Sequence, residues 1–194
     1  MAEVLVLVEH VDGDVKKVTY ELLALARRIG EPAAVLIGSG ADAAIPGLAE
    51  HGAATVYVAD ADELTAHPVA PKAEVLAKLV AEKSPAAVLV ASSAEGKEVA
   101  ARLAIKAGSG IITDAVDVAA DGTATQSVFG GATVVKSKVA VGTPIITVRP
   151  NSTSPEAPDH TRTALGTGAP AAISGRPSPS RSCSPATDQP RLGR

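Results

Sequence analysis

The stretch AAVLVASSAEGKEVAARLAIKAG, residues 86–108, decides the fold. Its first six residues, Ala86–Ala91, are apolar with no alternation, the pattern of a strand covered on both faces. From Glu95 to Ala107 the period changes. Val99, Ala100, Leu103 and Ala107 recur at helical spacing, and Gly108 stands where a helix ends.

Working outward, the same alternation fills the N-terminal side. Glu3–Val8 (EVLVLV) reads as a short buried strand. Asp14–Gly30 follows as a helix, with Val18, Leu22, Leu25 and Ile29 on one face. Ala33–Ile37 is a second strand, closed by Gly38-Ser39-Gly40, and a short helical piece at Ile45–His51 leads to a third strand, Thr55–Val58. Lys72–Lys83 places Val75, Leu76, Leu79 and Val80 on one helical face before Ser84-Pro85 stops it. Buried strands separated by amphipathic helices predict an α/β fold, a three-layer and mostly parallel sheet flanked by helices. After Gly108 the grammar changes. Asp114–Val118, the turn Asp121-Gly122 and Thr123–Val128 predict a hairpin. Thr133–Val141 and Ile145–Val148 are further extended runs, so an antiparallel β extension is expected at the C-terminal side.

Residues 1–150 and 151–194 differ in composition. All nine Lys lie at or before Lys138, and residues 1–150 hold thirteen basic against eighteen acidic side chains. Residues 151–194 hold five Arg, three acids and seven of the fourteen Pro. Their only large aliphatics are Leu165, Ile173 and Leu192, in no regular period. So little apolar area cannot offset a backbone entropy of about 1–2 kcal/mol per residue, and a disordered tail is expected. Translation in a shifted reading frame of a GC-rich gene is the expected origin of such a composition.

The whole chain of 194 residues carries a net charge of −3 and only 2% aromatics, which argues against nucleic acid as a partner. The single Cys183 excludes an intrachain disulfide or a cysteine-built zinc site, and the four His (10, 51, 67 and 160) lack ligand spacing. The apolar run Val4–Val8 is too short for a membrane span or a secretory signal, so no membrane insertion and a cytoplasmic location are expected.

Ligands of such sheets bind at the carboxyl ends of the strands. Three loops leave those ends. Glu9–Asp14 is acidic and would repel phosphate. Gly38 and Gly40 offer either a tight turn or backbone N–H groups for a phosphate, without a full G-x-G-x-x-G since Ala43 stands at its last position. Ser92, Ser93, Gly96 and Lys97 form the third loop. Its Gly-Lys lacks the rest of a P-loop, while Ser92 and Glu95 fit a capping box, S-x-x-E. No G-x-S-x-G or catalytic triad is legible, so a hydrolase is not supported.

At Met1–Glu9, Ala91–Lys97 and Gly108–Arg149 the chain resembles the α subunits of electron transfer flavoproteins, actinobacterial members in particular. The sharpest pieces are Ser109–Asp114 (SGIITD), Ser127–Ala132 (SVFGGA) and Val148–Asn151 (VRPN). The resemblance covers residues 1–150. It implies an electron carrier rather than a substrate-transforming enzyme. Such a carrier takes electrons from acyl-CoA and other flavin dehydrogenases to a membrane quinone oxidoreductase, as in fatty-acid β-oxidation. It implies a heterodimer with a β subunit, and FAD held mostly by a C-terminal domain. The glycine-rich stretches of that domain are absent after Pro155, so no FAD is expected on this chain alone. The resemblance also implies subunit-contact or structural roles for Asp114, Phe129, Gly130, Gly131 and Arg149. Two other readings stand beside it, a universal-stress-type module binding AMP or ATP and a non-redox subunit-interaction domain.

Overall fold

A computed structural model describes residues 2–61, 64, 67–155 and 171–172. Strand β1 (Glu3–Leu7) opens the chain. A small hairpin, β2 (His10–Val11) and β3 (Asp14–Val15), leads to helix α1 (Lys17–Ile29). Then come β4 (Glu31–Ile37), α2 (Ala41–Glu50), β5 (Thr55–Ala59), α3 (Ala70–Lys83), β6 (Ala87–Ala91) and α4 (Ala94–Ala107). The C-terminal side holds β7 (Ile111–Val118), β8 (Ala124–Val128), β9 (Thr133–Ser137), β10 (Ile145–Val148) and the two-residue β11 (Ala171–Ala172).

The sheet order is β11-β5-β4-β1-β6-β10-β7-β8-β9. Pairings from β11 through β7 are parallel; β7/β8 and β8/β9 are antiparallel. The expected three layers follow from side-chain alternation within buried strands. In β1, Val4 and Val6 pack with Leu22 and Leu25 of α1, while Leu5 and Leu7 pack with Leu76 and Leu79 of α3 and Leu103 of α4. In β6, Leu89 joins the first cluster and Val88 and Val90 the second. Both faces of these strands are therefore dry, which is why neither shows a polar alternation.

Three sequence expectations are corrected. The helix expected from Asp14 begins at Lys17, because Asp12-Gly13 turns the chain with φ of 49° and 89° and pairs Val11 with Asp14. That dipeptide suits a tight hairpin, whose central residues need positive φ. The helix expected at Ile45–His51 starts earlier, at Ala41, where Gly40 at φ 86° ends the preceding turn. Ile145–Val148 is not part of the antiparallel extension. It lies in mid-sheet as β10, parallel to both β6 and β7, with all four residues buried. The extension itself is β8 and β9.

The tail expectation falls on residues outside those described, apart from the short stretch to 155 and β11, which pairs in parallel with Tyr57–Val58. Tyr57 is buried, and its phenol donates to the Glu3 carboxylate at 3.1 Å. Burial, helped by that carboxylate, pushes its pKa up to about 12, so it remains a neutral donor at neutral pH.

Candidate functional site: the strand ends and the β8–β9 arm

From β1 the chain proceeds to β4 and β5 on one side, then returns to β6 on the other. The order reverses between β1 and β6, and a crevice at the carboxyl ends of these strands is the natural ligand position of such a sheet. A cleft of about 720 Å³ lies there, bordered by Glu9, His10, Gly38, Asp60, Lys72 and Ser93 among others.

The polar groups of this end are engaged with one another. Ser93 Oγ donates to Glu9 Oε1 at 2.8 Å and accepts from Gly96 N–H at 3.0 Å. Glu9 thus occupies the crossing of β1 and β6 with its negative charge at the start of α4, where a helix dipole favours an anion. Lys16 Nζ lies 3.5 Å from the other Glu9 oxygen, and Lys72 pairs with Glu95. His10 accepts from Gly13 N–H at Nδ1 and donates from Nε2 to the Ile37 carbonyl, which requires the Nε2–H tautomer.

The glycines have close neighbours. A Cβ on Gly40 would stand 2.5 Å from Gly13 N and 2.7 Å from the Asp12 carbonyl. The turn at Gly38-Ser39-Gly40 is therefore packed against the β2–β3 hairpin. A Cβ on Gly96 would stand 2.0 Å from the Ala91 carbonyl, so its absence lets α4 start close behind β6. The capping box centred on Ser92 is corrected: Ser93 is the N-cap, and Glu95, one residue too early to close a box with it, reaches Lys72 instead. Ser92 remains part of the sheet, its N–H bonded to the Val148 carbonyl at 2.7 Å.

Freed from capping, Ser92 builds a second cluster with Asp114. Its hydroxyl donates to Asp114 Oδ1 at 2.6 Å and lies 3.0 Å from Thr147 Oγ1, which accepts from Asp114 N–H at 3.1 Å. Lys97 Nζ sits 2.9 Å from Asp114 Oδ2. Asp114 adopts φ 57° in a bulge of β7: Ile112 faces Ile146 and Ala115 faces Val148, so β7 has one residue more than β10 there. The bulge turns the carboxylate toward Ser92. The Ser92 hydrogen bond above all, then Lys97, holds its pKa below the usual carboxylate range, against a smaller opposing effect of burial.

Asp114 carries a pH prediction. A carboxyl whose pKa is lower folded than unfolded adds stability above the unfolded pKa, and loses it as pH falls through the folded value. In urea titrations at pH 7, Asp114→Asn should be less stable than the parent by about 1–2 kcal/mol, mainly the charge-assisted bond to Ser92, since the half-exposed Lys97 pair is screened. As pH falls through the folded value the two curves should converge. An unchanged gap there would refute the role given to the charge.

Beyond Asp114 the arm begins. A second register shift in β7, between Ala115 and Asp117, accompanies the start of the antiparallel pairing with β8. The turn joining β8 to β9 is Phe129-Gly130-Gly131, all with positive φ, and Phe129 is 86% exposed. A groove of about 610 Å³ runs between this turn, Asp114 and Arg149. Arg149 donates to the Ser127 carbonyl at 3.3 Å, and its N–H bonds the Ala115 carbonyl at 2.8 Å. The chain then leaves over α1. Asn151 N–H donates to the buried Glu21 carboxylate at 2.8 Å, and Lys17 donates to Asn151 Oδ1.

The structure thus joins Ser92, Lys97, Asp114 and Arg149 at one corner, with Ser93 and Gly96 beside them and the Phe129–Gly131 turn above. Gly40 lies apart, packed against the β2–β3 hairpin, and Gly38 borders the cleft that Ser93 also borders. The sequence marks Glu9 only as one acid of the Glu9–Asp14 loop, and it does not single out Thr147. Thr147 was a lone polar residue in an apolar run, and that was its signal.

The match to known proteins has the same extent as this geometry. The electron transfer flavoprotein domain is matched over residues 4–172. The chain belongs to the electron transfer flavoprotein family. It is 48% identical over 158 residues to the electron transfer flavoprotein subunit alpha of Mycobacterium tuberculosis, covering 80% of this chain and 50% of that one. It is 47% identical over 151 residues to its Mycobacterium leprae counterpart (77% and 48% covered), and 30% identical over 168 residues to that of Bacillus subtilis (82% and 51%). The chain spans about half the length of these relatives. Among the described residues of this electron transfer flavoprotein chain, no helix is long and apolar enough to cross a membrane, and no group of three or more His, Cys, Asp or Glu could hold a metal. The described residues do not fit the diphosphate of FAD: backbone packs closely against Gly40 and Gly96, and Ser92, Ser93 and Lys97 are bound to acids.

Proposed function

We propose that this chain is the docking half of an electron transfer flavoprotein α subunit. In this reading it packs against a β subunit and positions a flavin held elsewhere in the assembly. FAD, when bound there, supplies the electron-carrying chemistry, and protein groups set its position and potential. The assembly passes electrons from acyl-CoA and other flavin dehydrogenases toward a quinone oxidoreductase, as a carrier rather than a substrate-transforming enzyme. The part of this chain is mechanical. β7 and β10 fix Asp114 and Arg149 at the corner, and the β8–β9 arm offers Phe129 to the partner.

The observation that carries the proposal is Phe129. A large aromatic that is 86% exposed, on a turn of positive φ with an adjoining polar groove, is the make-up of an interface anchor. A nucleotide-binding module has less support, because the Glu9 carboxylate occupies the start of α4 and Gly13 fills the turn at Gly40.

Co-expression with an electron transfer flavoprotein β subunit tests the reading. The β subunit should co-purify with the tagged 194-residue chain, and Phe129→Asp should weaken binding by at least tenfold, about 1.4 kcal/mol, with the circular dichroism unchanged. Failure to co-purify would refute the docking role. Stoichiometric flavin on the lone chain, or micromolar binding of AMP or ATP by calorimetry, would refute the division of labour.

A further inference from the structure

Strand β10 carries one polar side chain among apolar neighbours, Thr147, and it is fully buried. A buried hydroxyl needs a partner, and the bulge opposite supplies it. Ile146 faces Ile112 and Val148 faces Ala115, so Thr147 alone stands across from both Thr113 and Asp114. The extra residue of a bulge falls out of the ladder, and its N–H must be satisfied in another way. Asp114 sits there at φ 57°, a conformation that Asp tolerates better than most side chains. Its N–H donates to Thr147 Oγ1 at 3.1 Å. The threonine hydroxyl thus stands in for the absent backbone acceptor.

The direction of the remaining protons is forced. An ionised carboxylate only accepts, so Ser92 gives its single hydroxyl proton to Asp114 Oδ1, at 2.6 Å. In the 3.0 Å contact between Ser92 and Thr147 the donor must then be Thr147. The three bonds close a ring that runs one way: Asp114 N–H to Thr147, Thr147 O–H to Ser92, Ser92 O–H back to the Asp114 carboxylate. We propose that Thr147 is the positioning residue of this corner, its hydroxyl acting on both ends of Asp114 to hold the bulge and to keep the carboxylate at the groove bordered by Phe129 and Arg149. Backbone and side chain of Asp114 are thereby fixed by one group that is itself locked inside the sheet. The lowered pKa of Asp114, due above all to the Ser92 bond, agrees with the proton order. The Asp114 side chain is 42% exposed and Lys97 occupies only one side of Oδ2, so each carboxylate oxygen keeps a lone pair for a donor on the partner. That last step rests on the docking reading above, and the ring does not.

Two variants of the 194-residue chain separate the hydroxyl from the shape of the side chain. Thr147→Val removes the hydroxyl and keeps the β-branch, and Thr147→Ser keeps the hydroxyl. Carbon-detected NMR of the Asp114 carboxyl reads the difference. Thr147→Val should raise the Asp114 midpoint toward the usual carboxylate range, because Ser92 is no longer held to the carboxylate, and Thr147→Ser should leave it at the parent's value. Packing alone would not produce that split. The Asp114 amide should exchange slowly in the parent and at least about tenfold faster in Thr147→Val. Binding of an electron transfer flavoprotein β subunit should weaken about three- to tenfold in Thr147→Val and less than about twofold in Thr147→Ser. Circular dichroism shows whether the variants fold, and the amide exchange of the parent decides the matter if Thr147→Val does not. Equal midpoints in the parent and Thr147→Val, an equal rise in Thr147→Ser, or an unprotected Asp114 amide in the parent would overturn the ring. Binding unchanged in Thr147→Val while Phe129→Asp weakens it would overturn the positioning role. If Phe129→Asp leaves binding unchanged as well, the docking reading is what fails, and the midpoints still decide the ring.

Discussion

Gly96→Ala is expected to destabilise the domain by at least about 3 kcal/mol, although Ala is a better helix former than Gly. A Cβ at this position would stand 2.0 Å from the Ala91 carbonyl, 3.1 Å from Ser93 Oγ and 3.1 Å from a Val90 methyl. The first of these is backbone and cannot rotate away. Relief would require α4 to withdraw from β6, and α4 buries Val99, Ala100 and Leu103 against that side of the sheet. The same withdrawal would pull Ser93 from Glu9 and Lys97 from Asp114. A urea titration measures the loss. A change within about 1 kcal/mol would mean that α4 moves away at little cost, and that the glycine is not required by packing.

Leu89→Ala should cost about 2–5 kcal/mol, with no compensation from solvent. Leu89 is in the middle of β6, fully buried and packed in the cluster with Leu22 and Leu25 of α1. Its strand is held on both sides, by Val6 of β1 and Ile146 of β10, so the backbone cannot collapse into the space left behind. Ile105→Ala is the matched control. Ile105 is 83% exposed on α4, and its truncation should stay within about 0.5 kcal/mol. Equal losses at the two positions would contradict the assignment of Leu89 to the core.

How much of this could be read from sequence depends on how local each feature is. The parallel core was legible, because EVLVLV and AAVLVA announce strands covered on both faces, and Val99 to Leu103 announce the helix that follows the second of them. The Asp12-Gly13 hairpin was not read, because the helical period of Val18 to Ile29 extends the expected helix back to Asp14, onto the second strand of that hairpin. The choice between Ser92 and Ser93 as cap was not legible. It depends on whether Ser92 still bonds the sheet, and the carbonyl it bonds belongs to Val148, far along the chain. The strand at Ile145–Val148 was legible, but its place in mid-sheet was missed for the same reason. Its four residues show burial, but nothing near them says which two strands it separates. The Asp114 corner inherits that limit. The bulge that turns Asp114 toward Ser92 exists only in the register of β7 against β10. The acid and the serine were both singled out, and their meeting was not.

The central place of β10 has a bearing on synthesis. Strands β1, β4, β5 and β6 are complete by residue 91, yet the flank of β6 is left without a neighbour until residues 145–148 arrive. At a ribosomal pace of about 5–20 residues per second, that is several seconds during which a hydrophobic strand has an unsatisfied side. The nascent half-sheet is then open to any extended chain in the cell, and a holdase chaperone binding in that interval would act on β6. Once Ile145–Val148 slots in, that flank is sealed, and with it the last route by which this sheet could recruit a stranger through its middle.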